Sequence, residues 1–242
     1  MSTEKTIVIT GGGIGLGAQL TRLYGHAGHR VIICGRTESA LRAAEDYGKV
    51  HSFCLDLADS GDRRRFVEGI YDLDRPIDLL INNAGIQQTV DFSIGGGSPE
   101  LIEAEMTINL QAPIELTSDL LPLLKQASSA RIAFVTSALG RVPKQSTPVY
   151  CATKAGLSAF ARSLRYQLEK TGIGVTDIVP DLLRTRMAAG REQSALSALD
   201  AAQTIVRGLS AGQDEIRLGR VPVLYTLHRF LPSVAYKMLK AA

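Results

Sequence analysis

The sequence predicts an α/β fold: a doubly wound parallel sheet with helices on both faces, built as a single domain. Three observations carry this. Short apolar runs alternate with amphipathic helical stretches along most of the 242 residues, the pattern of successive βαβ units. The runs are continuous rather than alternating, as in strands covered on both faces. The chain is also 45% hydrophobic, with 23 glycines, 5% aromatic residues and no tryptophan. That composition suits a core of small residues punctuated by glycine, and not an aromatic-lined binding surface.

The elements follow in order. Ile7-Val8-Ile9 is a buried strand ending at Thr10 and a glycine cluster. Residues 14–26 repeat apolar positions at helical spacing, and Gly28 is a natural helix stop. Val31–Cys34 is the second strand, followed by a helix over about 38–47. A third strand spans His51–Leu55 and a third helix 61–72. Asp78–Ile81 is the fourth strand, cut by Asn82-Asn83-Ala84-Gly85. Gly95–Gly97 lead into one long helix over about 98–126. Arg131–Ser137 is the fifth strand, 149–170 a long helix stopped at Gly172, and Val175–Val179 the sixth strand. No repeat, linker or composition break divides the chain.

A chain of this length buries roughly three-quarters of its unfolded surface, so bulk disorder is excluded. The formal net charge of +3 is too weak and too evenly spread to argue for nucleic acid. Cys34, Cys54 and Cys151 have no metal-ligand spacing; no metal site is expected, and a reducing compartment is the default. No segment reads as a signal peptide or as an apolar stretch of the ~18 residues a membrane span needs. The expected location is the cytoplasm.

The first strand ends in Thr10-Gly11-Gly12-Gly13-Ile14-Gly15-Leu16-Gly17. Glycines there let the chain turn tightly and let backbone amides approach a phosphate. The helix that follows offers free N–H groups and the positive end of its dipole. A glycine cluster alone is weak, but this one sits between the first strand and first helix of a βαβ unit, the context that dinucleotide binding requires. A Walker-type phosphate loop is excluded, because no Lys-Ser/Thr pair follows. At the end of the second strand stands Cys34-Gly35-Arg36-Thr37, where an acidic residue would indicate NAD. Arg36 suits a 2′-phosphate, so NADP is preferred; Arg36 as a solvated loop residue, with Glu38 on a ribose hydroxyl, keeps NAD open. Asp56, after the third strand, is placed for an adenine amino group or, nearly as well, for a turn before Ser60-Gly61.

Tyr150 and Lys154 are four residues apart on a predicted helix and so share a face. Ser137 ends the preceding strand. Ligands of open parallel sheets bind at the carboxyl ends of strands, so these three converge where a nucleotide held by Gly11–Gly17 would end. A carbonyl that accepts hydride must also receive a proton. A free tyrosine titrates near pH ~10, and a neighbouring ammonium is expected to pull that value down and make Tyr150 the acid–base group. Ser137 would donate a hydrogen bond to the reacting oxygen.

At this point the chain resembles the single-domain branch of the short-chain dehydrogenase/reductase family. The matching residues are Thr10-Gly11-x-x-x-Gly15-x-Gly17, Asn82-Asn83-Ala84-Gly85, Asn109, Ser137, Tyr150-x-x-x-Lys154, and Pro180 followed by Thr185. The resemblance covers residues 5 to 187 and implies a Rossmann-type sheet of about seven strands and an NAD(P)-dependent oxidoreductase. It implies Tyr150 as acid–base, Lys154 also on the nicotinamide ribose, and Asn109 holding a water in a proton relay through Lys154. Asn83, Ala84 and Gly85 would border the cofactor ribose, Pro180 its nicotinamide, and Thr185 the carboxamide. One departure stands out: Asp181 follows Pro180 where the family usually has glycine.

By the same resemblance, Leu139, Gln145, Leu182 and Met187 line the substrate pocket, with Val142 and Pro143 nearby, a mainly apolar lining. Residues 184–202 read as a lid with Gly190 as hinge. The seventh strand falls near 216–218, and its Glu215-Ile216-Arg217-x-Gly219 pattern followed by an apolar segment with Pro232 resembles the DltE-like subgroup. Residues 221–242 form a basic, amphipathic tail. It is read as covering a subunit interface, in a homodimer or homotetramer, in preference to lying on a membrane surface, because Pro222 and Pro232 break it into pieces. The function expected is an NADP-preferring reductase of a small-molecule carbonyl, or the corresponding alcohol oxidation. The alternatives are an NAD-linked alcohol dehydrogenase and a non-catalytic NADP-binding sensor or scaffold.

Overall fold

The computed structural model describes residues 4–181 and 196–240. Seven strands form one parallel sheet in the order β3-β2-β1-β4-β5-β6-β7. They are β1 Thr6–Thr10, β2 Arg30–Gly35, β3 Val50–Cys54, β4 Leu79–Asn82, β5 Arg131–Val135, β6 Gly174–Val179 and β7 Glu215–Arg217. Thr10 registers with Cys34 on one side of β1 and Ile9 with Ile81 on the other. The chain therefore reverses its direction of travel across the sheet at β1/β4, which opens a crevice above their carboxyl ends.

The strands bury both faces because successive side chains point to opposite sides. Val8, Ile32, Leu80, Ile132 and Phe134 pack against α3 (Ser60–Tyr71), α5 (Ala112–Gln126) and α6 (Pro148–Leu168). Ile7, Ile9, Ile33, Ile81 and Ala133 pack against α1 (Gly15–His26), α2 (Glu38–Glu45) and α7 (Ala198–Ser210). Local signals start the helices. Asp59 caps α3 by accepting from the Asp62 N–H, and Ser197 caps α7 through Asp200.

The long helix expected over 98–126 is interrupted. α4 (Pro99–Met106) passes into a π turn, Thr107–Gln111, before α5 begins. Pro113 has no N–H to close on the Asn109 carbonyl, and the Ala112 N–H reaches back five residues to Thr107. The fifth strand stops at Val135, two residues earlier than expected, because Thr136 and Ser137 lead into a short 3₁₀ turn, Ala138–Gly140. The tail folds as α8 (Val221–Phe230) and α9 (Pro232–Lys240), parted at Leu231 by the proline that follows it. Val221, Leu224 and Ala235 pack on Ala138, Val142 and Val179, so the tail covers the turn beside Ser137.

The lid predicted over 184–202 needs shortening at its far end. Residues 198–202 belong to α7, where Ala201 and Ala202 are fully buried against the α1 side of the sheet. Its remaining positions up to 195, with Leu182, Arg184, Thr185, Met187 and Gly190, lie outside the described residues. Cys34 and Cys151 are buried and Cys54 exposed, all as free thiols. No helix among the described residues is long and apolar enough to cross a membrane.

Candidate active site

The glycine loop leaves β1 and enters α1 with Gly11 and Gly15 at positive φ, +66° and +55°. A side chain there is strained. Close approach matters as much. A Cβ on Gly17 would lie 2.1 Å from the Gly11 carbonyl oxygen, and one on Gly12 would lie 2.4 Å from Ile33 Cγ2. The loop thus rests on itself and on the sheet with no room for a methyl group. Ile14, at the N-cap of α1, gives that helix no side-chain cap, and no acidic residue stands in its first turn. The amides at this end are free of competing carboxylates, as an anion site requires. The cradle fits a pyrophosphate.

Thr10 and Asn83 lock this loop to β4. Thr10 Oγ1 accepts from the backbone N–H groups of Asn83 (2.9 Å) and Ala84 (3.0 Å). Asn83 Nδ2 donates to the carbonyls of Thr10 (2.9 Å) and Gly11 (3.3 Å). Beyond β2, the exposed Arg36 guanidinium lies 3.7 Å from Asp56, a loose surface pair of little energetic weight. Asp56 Oδ1 also accepts from the Ala58 N–H at 2.9 Å. Glu38 is engaged with Arg42 one turn along α2, at 2.6 Å.

The catalytic candidates meet at the carboxyl ends of β5 and β6. Ser137 Oγ accepts from the Leu139 N–H at 3.1 Å and shares a side-chain hydrogen bond with Tyr150. Tyr150, Lys154 and Asn109 are buried. The Lys154 ammonium donates to the Val135 carbonyl at 2.8 Å and lies 5.7 Å from the centre of the Tyr150 ring. Asn109 Oδ1 accepts from the Ile86 N–H and its Nδ2 donates to the Ile86 carbonyl, both at 2.8 Å, with a further bond to Thr153 Oγ1 at 3.3 Å. The Asn109 side-chain amide thus ties the π turn to the backbone after β4 and to Thr153 on α6. Gly85 leaves room for this meeting: a Cβ there would stand 3.2 Å from Asn109 Oδ1 and 3.4 Å from Lys154 Nζ.

The electrostatics differ from the expectation for Tyr150. Burial pushes its hydroxyl up to about 12, opposed by the Ser137 hydrogen bond and reinforced by Cys151 and Glu105. Burial also pulls Lys154 down to about 8, against the fields of Asp177 and Glu105. Burial thus favours the protonated hydroxyl at Tyr150, with no attraction from Lys154 among the causes of its shift, and weakens the hold of Lys154 on its proton.

The remaining predicted positions divide. Leu139 is half-buried beside Ser137. Gln145 lines a groove of about 350 Å³ with Pro143, Lys144, Tyr236, Lys237 and Lys240, and its N–H donates to the Lys240 carbonyl at 3.1 Å. It faces the C-terminal helices. Pro180 directly follows β6. Asp181 accepts from Arg220 through both its backbone N–H (3.1 Å) and its Nε (2.9 Å), which accounts for an acid in place of glycine: it ties the end of β6 to the start of α8. Sequence reasoning missed Glu105 and Asp177, both buried acids. A carboxylate inside the apolar run of β6 was the available signal, since a buried charge needs a partner.

An open parallel sheet, a glycine cradle at its switch point and a Ser-Tyr-Lys set above β5, its tyrosine and lysine buried, define a nucleotide-dependent oxidoreductase class. Residues 5–195 match the short chain dehydrogenase family, and the chain belongs to that family as an NAD(P)-dependent oxidoreductase. It is 35% identical over 226 residues to the uncharacterized oxidoreductase DltE of Bacillus subtilis (strain 168), covering 90% of each chain. It is 27% identical over 246 residues to the ketoacyl reductase HetN of Nostoc sp., covering 96% of this chain and 84% of that one. Among solved structures, a short-chain dehydrogenase from Sphingobium yanoikuyae in complex with NADPH superposes with a TM-score of 0.81 at 25% identity, over 97% of this chain and 94% of that one.

Substituting Gly17→Ala is expected to weaken nucleotide binding at least tenfold, because the added methyl displaces the Gly11 carbonyl. Fluorescence titration with NADPH on protein of unchanged far-ultraviolet dichroism checks this; undiminished affinity would contradict the cradle.

Proposed function

We propose that the protein is an NADP-preferring carbonyl reductase in which Tyr150 delivers the proton. The observation that carries this reading is the convergence of a half-buried Ser137 with buried Tyr150 and Lys154 at the carboxyl ends of β5 and β6. When bound, the nicotinamide supplies hydride to the carbonyl carbon. As charge develops on the carbonyl oxygen, the Tyr150 hydroxyl gives up its proton to it. Ser137 has its oxygen held by the Leu139 N–H, which leaves its own proton to steady the same oxygen. Lys154, anchored on the Val135 carbonyl, restores the proton to Tyr150 and favours the transient tyrosinate by its charge. Asn109, fixed on the Ile86 backbone, would hold a water in the proton relay through Lys154. The glycine loop and the α1 N-terminus would hold the pyrophosphate, and Asn83–Gly85 and Pro180 would border the ribose and nicotinamide.

Arg36 supports the NADP preference: it is an exposed, weakly paired cation at the end of β2, while Glu38 is occupied by Arg42. The complexes of related oxidoreductases with NADP or NADPH, 25–26% identical to this chain, support it also. The substrate is a small-molecule carbonyl compound, and the working location is the cytoplasm. The exposed side chains Val223, Phe230, Leu231, Val234 and Met238 on α8, α9 and their junction fit contact with a second copy in a homo-oligomer.

Three outcomes test this reading. Tyr150→Phe is expected to keep NADPH affinity within about threefold and to lose turnover by about 10²–10⁴-fold; normal turnover on any ketone would sink the mechanism. Titration should give NADPH at least tenfold tighter than NADH, with Arg36→Ala abolishing the difference, and equal affinities in the unsubstituted protein would remove the preference. Finally, Phe230→Glu combined with Met238→Glu should lower the mass seen by light scattering. An unchanged mass, or a protein that instead sediments with lipid vesicles, would count against the tail as a subunit contact.

A further inference from the structure

Asp177 lies in the middle of β6, within the run Val175-Thr176-Asp177-Ile178-Val179, and is buried. Its Oδ1 accepts from the Thr136 hydroxyl at 2.6 Å, and its Oδ2 accepts from the Ser158 hydroxyl at 2.5 Å. The two donors are well placed. Thr136 stands between Val135, whose carbonyl takes the Lys154 ammonium, and Ser137. Ser158 stands on α6 one turn beyond Lys154, which is itself one turn beyond Tyr150. One carboxylate is thus bonded to the residue before Ser137 and to the residue one turn beyond Lys154 on α6.

We propose that Asp177 is a positioning residue of the active site, clipping the end of β5 to α6 and supplying the negative charge that holds Lys154 as an ammonium. The proposal rests on the reading of Ser137, Tyr150 and Lys154 given above. A neutral side chain would satisfy two hydroxyls at lower desolvation cost; the feature that only the acid adds is its charge, and Lys154 is the buried cation one turn before Ser158 on the same helix. Asp177 opposes the effect of burial on Lys154, ahead of Glu105 on α4. The charged and titratable groups around the pair are Lys154, Tyr150 and Arg165 on α6, Glu105 on α4, Glu215 on β7 and Tyr225 on α8. Burial raises the Asp177 carboxyl itself, while the Ser158 and Thr136 hydroxyls work against that rise.

The sign follows. Removing the charge leaves burial less opposed, so the Lys154 ammonium loses its proton at lower pH. The test is Asp177→Asn in the full chain, which keeps the volume and can still bond both hydroxyls. Lys154 is titrated in the cofactor-free protein by NMR of ε-¹³C-lysine, with Lys154→Arg identifying the signal, so this measurement needs no turnover. Its midpoint should fall by about 1 pH unit, and the alkaline limb of kcat/KM for NADPH-dependent ketone reduction should move down with it. Asp177→Glu, which restores the charge, should return both toward the original values. Ser158→Ala breaks one arm of the clip but keeps the charge, so it should leave the limb where it was. Asp177→Thr, a neutral side chain suited to a strand, is the second variant should the asparagine form fail to fold. An unshifted Lys154 midpoint in a folded neutral variant, or an equal shift in Ser158→Ala, would overturn the proposal whatever the activity. A shifted midpoint with no reductase activity in the unsubstituted protein would support the clip and remove only the proposed function.

Discussion

An ammonium taken out of water loses a solvation energy that several hydrogen bonds barely replace, and an unpaired buried charge costs more than most single contacts return. Lys154 is such a group, and much of the carboxyl end of the sheet is arranged around it. The Val135 carbonyl turns toward it at the point where β5 stops. Asp177 and Glu105 supply opposing charge from β6 and α4. Gly85 stands aside so that the chain after β4 can pass close to its nitrogen. The result is a lysine whose hold on its proton is weakened by burial, next to a tyrosine whose burial favours the protonated hydroxyl. A surface Tyr-x-x-x-Lys pair would have neither property, since water would screen the interaction and restore both groups to their ordinary ranges.

The nucleotide side of the crevice depends on a different economy, that of space. Gly12 and Gly17 lie against Ile33 and the Gly11 carbonyl with no room for a Cβ, while Thr10 and Asn83 bond the loop to the strand beside it. The two sides are joined by the backbone following β4: Asn83 serves the phosphate loop and Ile86 serves Asn109. Asn83 and Ile86, which serve different parts of the crevice, therefore stand three residues apart in one short segment at the topological switch point. At the opposite edge, Asp181 and Arg220 fasten the end of β6 to the C-terminal helices, and those helices pack over the turn that carries Leu139.

Most of the sheet was legible because fully buried parallel strands are continuous apolar runs and their helices are amphipathic. The places where the reading slipped share a cause. The π turn at Thr107–Gln111 arises from what Pro113 cannot donate, an effect on the preceding carbonyls that periodicity does not register. Residues 198–202 were read as part of a lid because they are small and polar-flanked, yet Ala201 and Ala202 are small because they pack tightly against the α1 side of the sheet. Gln145 belongs to a loop that the resemblance assigns to substrate, but α9 lies across it. The direction of the Tyr150 perturbation was misjudged because spacing reveals a neighbouring charge and says nothing of how much water has been removed.

Local covalent character and pattern were enough to determine the strand–helix alternation and the glycine-rich turn between β1 and α1, and to single out Ser137, Tyr150, Lys154 and Asn109 as the residues proposed to carry the chemistry. Each depends on residue type and on short-range spacing. Tertiary structure alone decided that Asp177 meets Thr136 and Ser158, that Glu105 accepts from the Gln88 N–H, and that Asp181 holds Arg220. These pairings join residues well apart in the chain, and burial, which sets whether a group keeps or loses its proton, exists only once the layers have closed.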